Sequence, residues 1–261
     1  MRSAALCGGG IGAVRRGARG LTRLVVGPTA PREERRPFDP GLSQADANLL
    51  TLADDICSTG DLRFSVCLTG PPGSGKSAWV RYLADRLDLE VMHKRTSDLL
   101  SSLVGGTEKR IAAAFQRAAD ERAFLVFDEA DSLLRDRDGA VRGWEVSQVN
   151  EMLTWMEIHP LPFACTTNFA EAIDRASLRR FVSKVKLGYL SAAQADEAFR
   201  FFFELDPPGE LAGMRILTPG DFAVVRRKAE IRGRLDVPDA LVRMLQEECD
   251  AKPERSGTVG F

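Results

Sequence analysis

Gly70-Pro71-Pro72-Gly73-Ser74-Gly75-Lys76-Ser77 is the stretch whose surroundings settle the fold. It fits G-x-x-x-x-G-K-[ST]. It follows an apolar run, Phe64 to Leu68, that reads as a buried strand, and it opens residues 76–88, where Val80, Leu83 and Leu87 share one helical face. Strand, glycine-rich loop and helix in that order let backbone N–H groups curl around phosphate oxygens, with the partial positive charge of the helix N-terminus behind them. In such a cradle Lys76 reaches the β- and γ-phosphates, and the Ser77 hydroxyl ligates Mg2+.

Working outward, the pattern repeats. Residues 89–93, 123–127, 162–167 and 182–187 read as strands, and residues 107–122, 144–158 and 176–180 as helices between them. A further helix is expected over 43–58, where Leu49, Leu50, Leu52, Ala53 and Ile56 fall at helical spacing. Strands alternating with helices predict an α/β fold with a five-stranded parallel sheet flanked by helices. After Gly188 the strands stop. Residues 191–204, 219–231 and 236–249 read as helices, with Pro207-Pro208-Gly209 as a break, which predicts a small all-helical domain. The expected organisation is a leader over 1–37, an α/β core over 38–188, a helical domain over 189–250 and a flexible tail over 251–261.

Composition narrows the function classes. The chain has 261 residues, 44% hydrophobic and 28% charged, which excludes a disordered or collagen-like polymer. Charges interrupt every apolar run, so no membrane span is expected. The net charge of −1 conceals six arginines and no acid in residues 1–32, leaving a balance of −7 for the rest. A mildly acidic body argues against charge-driven nucleic-acid binding, and no nucleic-acid partner is expected. The basic leader has three readings: a disordered or mis-started segment, an organelle transit peptide, or an arm that touches nucleic acid or lipid. Five scattered cysteines without a C-x-x-C pair indicate a reducing compartment, with the cytoplasm expected, or an organelle matrix if the leader is a transit peptide. Two isolated histidines, His93 and His159, offer no zinc site.

Three further elements carry chemistry. Phe124-Leu125-Val126-Phe127-Asp128-Glu129 is an apolar strand ending in two carboxylates, at the sheet edge where α/β proteins bind ligands. Asp128 there would hold Mg2+, and Glu129 would orient and deprotonate the attacking water. Phe163-Ala164-Cys165-Thr166-Thr167-Asn168 ends in an amide that would position the water if its strand neighbours that of Glu129; a turn-capping Asn fits equally. Leu178-Arg179-Arg180-Phe181 offers paired arginines, either a solvated basic edge or arginine fingers that offset charge on a γ-phosphate. Trp144, Trp155 and the phenylalanines 199, 201, 202 and 203 fall at helical spacing and read as core.

Together these residues resemble an AAA ATPase, of the branch that contains katanin, spastin, the FtsH proteases and the p97-type unfoldases. Residues 70–77 resemble its Walker A motif, and residues 124–129 with Ala130-Asp131-Ser132-Leu133 its Walker B motif. Thr166-Thr167-Asn168 is similar to the sensor-1 strand end, and Ile173-Asp174 with residues 178–181 to the second region of homology, where the fingers lie. Thr107 to Ile111 resembles the helix start after the first pore loop. The resemblance implies ATP bound with Mg2+ between the subunits of a ring, usually a hexamer. It also implies Arg179 or Arg180 acting on a neighbour's nucleotide and the helical domain closing as a lid over the adenine side. Thr218-Pro219-Gly220-Asp221-Phe222 occupies the place of the branch's small residue and acid, without a sensor-2 arginine. Leu103 stands where the pore loop has an aromatic, and Ser102 where it often has a lysine. Residues 135–144 fit either a second pore loop or a plain solvated loop. The expectation is Mg2+-dependent ATP hydrolysis in a ring that remodels a protein or assembly, a motor without its own cargo-selecting domain. Its rivals are an ATP-binding switch that recruits a partner with little hydrolysis and, further off, a nucleic-acid motor or loader.

Overall fold

The strand before the phosphate loop, β1 (Ser65–Thr69), is flanked on both sides in a five-stranded, all-parallel sheet. The computed structural model describes residues 38–101, 103, 105–134, 143–169 and 173–252. With β2 (Val91–Arg95), β3 (Phe124–Asp128), β4 (Phe163–Thr167) and β5 (Ser183–Lys186), the order across the sheet is β2-β3-β4-β1-β5. Side chains alternate between its faces. Val66, Leu68, Phe124, Val126, Ala164 and Val185 pack against α1 (Leu49–Thr59) and α2 (Lys76–Arg86). Cys67, Leu125, Phe127, Phe163 and Cys165 face α4 (Gly106–Glu121) and α5 (Gly143–Ile158). Both faces are covered at the centre of the sheet, so β1, β3 and β4 are nearly continuous apolar runs, while the edge strands β2 and β5 are only partly buried.

Two short helices complete this layer: α3 (Thr96–Leu99) after β2 and α6 (Arg175–Leu178) before β5. Beyond Gly188, α7 (Ala192–Phe203), α8 (Pro219–Arg232) and α9 (Pro238–Asp250) close a separate apolar cluster. It contains Phe199, Phe203, Phe222, Leu241 and Leu245, with Leu42 contributed from before α1. Phe201 and Phe202 pack at its margin, and Trp155 stacks on Phe115 with ring centroids 5.9 Å apart, so these aromatics are core. The side chain of Trp144, Ser102, the segment 135–142 and the leader 1–37 lie outside the described residues.

The starts of α1 and β2 differ from the sequence reading. Helix α1 starts at Leu49, not residue 43, because Asn48 caps it, accepting the Leu50 and Thr51 amides at 3.0 Å each. The residues before it pair with the end of β5 instead, through an Ala45–Leu187 bridge and a 3.0 Å bond from the Asp46 amide to the Lys186 carbonyl. Strand β2 starts at Val91, since the Leu89 amide still closes the end of α2 on the Ala84 carbonyl at 3.0 Å. No helix among the described residues is long and apolar enough to cross a membrane.

Candidate functional site

The loops after β1, β3 and β4 all leave the C-terminal edge of the sheet, and β4 lies between β1 and β3. Thr69 pairs in register with Thr167, and Phe127 with Cys165. The residues that follow, Gly70, Asp128 and Asn168, are thereby brought to one place.

The phosphate loop is tied down from both sides: the Gly70 amide donates to the Thr167 carbonyl at 3.2 Å and the Leu187 amide to the Thr69 carbonyl at 2.7 Å. Gly75 caps α2 at φ 103°, a conformation that favours glycine, and no side chain caps the first-turn amides of that helix. Those amides, with Ser77 half-buried in the same turn, point a row of donors toward the loop's concave side. The buried hydroxyls of Ser43 and Ser74 flank the loop without a protein hydrogen-bond partner. Sequence reasoning passed over Ser43. Its Oγ would stand 2.6 Å from a Cβ at Gly75, so it marks how closely the chain before α1 covers the loop.

Lys76 is buried, and its ammonium uses all three donors: to the Gly70 carbonyl at 2.7 Å, the Pro71 carbonyl at 3.0 Å and Asn168 Oδ1 at 2.9 Å. Burial pushes its pKa down to about 8, against the pull of the Asp128 and Asp131 carboxylates. At the end of β3, Asp128 accepts a bond from the Thr166 hydroxyl and faces His93 Nε2 at 3.3 Å. The His93 hydrogen bond, opposed by desolvation and aided by Thr166, holds Asp128 down to about 2. Asp131 takes the Thr167 hydroxyl, and desolvation raises its pKa. Glu129 turns the chain off the sheet at φ 56°, a left-handed conformation uncommon for a residue with a side chain. That turn is pinned by Thr96, whose hydroxyl donates to the Glu129 carbonyl at 2.7 Å and the Asp128 carbonyl at 3.2 Å.

Thus the structure gathers Lys76, Asp128 and Asn168 at one edge, with Ser77 and Glu129 in the adjoining turns. The arginines are elsewhere. Arg179 and Arg180 are exposed, the Arg180 carbonyl accepts from Ser65 Oγ at 3.3 Å, and its guanidinium pairs with Glu157. Ser65 begins β1 and Thr69 ends it, so the arginines lie at the opposite end of the sheet from Lys76. Thr96 and His93 were missed in the sequence, which carries no signal for them: His93 meets Asp128 only as a diagonal neighbour on the adjacent strand.

Residues 66–189, from β1 through the end of β5, match the family model described as "ATPase family associated with various cellular activities (AAA)". The chain is 29% identical over 227 residues to an ATP-dependent zinc metalloprotease FtsH 2 of Symbiobacterium thermophilum, covering 78% of this chain and 39% of that protein. It is 30% identical over 191 residues to Protein CdcH of Halobacterium salinarum, covering 67% and 26%. It is 32% identical over 119 residues to the nuclear valosin-containing protein-like protein of Mus musculus, covering 44% and 14%. The chain therefore spans less than half the length of each of these relatives. With the phosphate loop, the paired carboxylates and the asparagine of β4 all inside it, the segment 66–189 is a domain of the AAA ATPase family.

Proposed function

We propose that this chain is a Mg2+-dependent ATPase that works in a ring and couples hydrolysis to the remodelling of a protein or protein assembly. The observation that carries the reading is the meeting of Lys76 Nζ and Asn168 Oδ1, 2.9 Å apart, at the same sheet edge as the ionised Asp128 and at the start of α2, whose first-turn amides no side chain caps. Lys76 and the loop amides of residues 70–77 bind the phosphates. Asn168 orients a water toward the γ-phosphorus, and Glu129 takes its proton. Ser77 and Asp128 are hard oxygen donors of the kind Mg2+ takes, and the depressed pKa of Asp128 keeps it anionic; they would hold the cation. Bound there, Mg2+ supplies charge that offsets the developing negative charge on the phosphate oxygens.

A ring is supported by where Arg180 lies. The length of β1 separates it from Lys76, roughly 13 Å at ~3.3 Å per residue, so it serves a neighbour's nucleotide rather than its own. Leu103, 75% exposed between α3 and α4, offers an apolar contact to a polypeptide held in the ring. The helices after Gly188 act as the lid, since the start of α8 already touches the phosphate loop: the Gly220 amide donates to the Gly73 carbonyl at 2.9 Å.

The test is turnover per subunit across a wide range of protein concentration. A steep rise is expected as neighbours complete each other's sites. A flat, near-zero rate with intact ATP binding would overturn the hydrolytic reading in favour of a nucleotide-dependent switch that recruits a partner.

A further inference from the structure

The last described turn of the chain reaches back to the phosphate loop through a chain of short contacts. Lys252 follows α9, and its Nζ donates to Asp221 Oδ2 at 2.6 Å and to the Ile216 carbonyl at 2.6 Å. It also stands 5.5 Å from the ring centroid of Tyr189, in the hinge between the sheet and α7. Asp221 is in the first turn of α8, with its side chain 9% exposed, and the same Oδ2 accepts the Thr218 amide at 2.6 Å and the Thr218 hydroxyl at 2.9 Å. Between those two residues lies Gly220, whose amide is bonded to the Gly73 carbonyl.

That last junction has no slack. A Cβ on Gly220 would come within 2.8 Å of Gly73 Cα, and one on Gly73 within 2.8 Å of Thr218 Oγ1. A shift of the α8 start is therefore transmitted to the loop backbone at Gly73. What fixes the α8 start is the Asp221 carboxylate, and what neutralises that carboxylate is Lys252. Removing the cation leaves a buried anion with the Thr218 amide and hydroxyl as its neutral donors, an arrangement that draws in water or turns away. Either response releases the Thr218–Asp221 capping box and with it the Gly220 amide.

We propose that Lys252 is a positioning residue for the nucleotide site: by holding Asp221, Ile216 and the Tyr189 hinge together, it fixes the start of α8 on Gly73 and so sets how long nucleotide stays bound, without touching it. This rests on the reading of residues 70–77 as the ATP site. The affinity of the site is then governed from the C-terminal turn of the helical lid.

The experiment measures dissociation of a fluorescent N-methylanthraniloyl-ADP by stopped flow from the full chain, its Lys252→Met variant and its Lys252→Arg variant, with Tm taken in parallel. Release from Lys252→Met is expected to be about tenfold faster than from the wild type, and release from Lys252→Arg within twofold of it. Unchanged release from Lys252→Met, with or without a lower Tm, would overturn the proposal. So would a Lys252→Arg variant that releases as fast as Lys252→Met, since packing rather than charge would then be responsible. A wild-type chain that binds no labelled nucleotide would instead sink the ATP-site reading itself.

Discussion

Lys76→Met is expected to destroy nucleotide binding and to remove a pH dependence from the stability of the nucleotide-free fold. The ammonium sits among the Gly70 and Pro71 carbonyls and Asn168, and its pKa falls from 10.5 to about 8 because burial disfavours the charge. A cation whose folded pKa lies below its unfolded one binds fewer protons folded than unfolded between those values, so stability rises with pH across that window. At pH 7.5 the shift corresponds to about 3 kcal/mol against the fold, and at pH 9.5 to about 1 kcal/mol. Other groups titrate nearby: burial raises Cys67 to about 12 and Cys165 also upward, which favours unfolding above the ordinary thiol pKa of 9.0. The informative quantity is therefore the difference between wild type and variant. Urea unfolding of both proteins without nucleotide, followed by tryptophan fluorescence from the buried Trp79, measures it. The stability of Lys76→Met relative to the wild type should fall by about 2 kcal/mol between pH 7.5 and pH 9.5. A difference between the two proteins that does not change with pH would refute the account of Lys76 as a charge whose burial costs stability.

Further outcomes are expected. Glu129→Gln and Arg180→Ala should each abolish most turnover, an arginine finger being worth about a thousandfold or more. Mixing the two inactive proteins should restore part of the activity, because a junction in which the Arg180→Ala subunit supplies Glu129 and the Glu129→Gln subunit supplies Arg180 is intact; mixtures as dead as their parts would place Arg180 in its own subunit's site or outside catalysis. His159 is buried with Nε2 unpartnered, its ring against Phe115 at 5.0 Å, and burial lowers its pKa from 6.5 to about 4. Its folded pKa is the depressed one, so it costs stability as pH falls from 6.5 toward 4. Between pH 7 and pH 5 the loss should be about 2 kcal/mol. His159→Leu should flatten that slope in acid unfolding curves; an unchanged slope would assign acid lability elsewhere.

Much of the sheet was readable because its three central strands are buried on both faces. Phe124 to Phe127 and Phe163 to Cys165 are apolar without a break, and no helix of ordinary length fits between the turns that bound them. The helix at 43–58 was misjudged for the opposite reason. Its apolar residues keep helical spacing, yet residues 44–46 find backbone partners at and just after the end of β5, about 140 residues later, and no local pattern reports that. The same distinction divides the site. Lys76 and Ser77 are specified by their own loop, whereas the Thr166 hydroxyl on Asp128, the Thr96 hydroxyl under Glu129 and His93 beside Asp128 arise from strand pairing.

By itself the sequence determined the family, the phosphate loop, the two carboxylates and the helices that follow Gly188, since each is encoded in a contiguous run whose spacing has one physical use. Only the tertiary structure decided that Asn168 meets Lys76, that Arg180 lies a strand's length from its own phosphate loop, and that Lys252 reaches Asp221 beside Gly73. Those relations depend on which strands become neighbours and on how the last helix folds back, and both are settled by burial summed over the whole chain rather than by any local stretch of it.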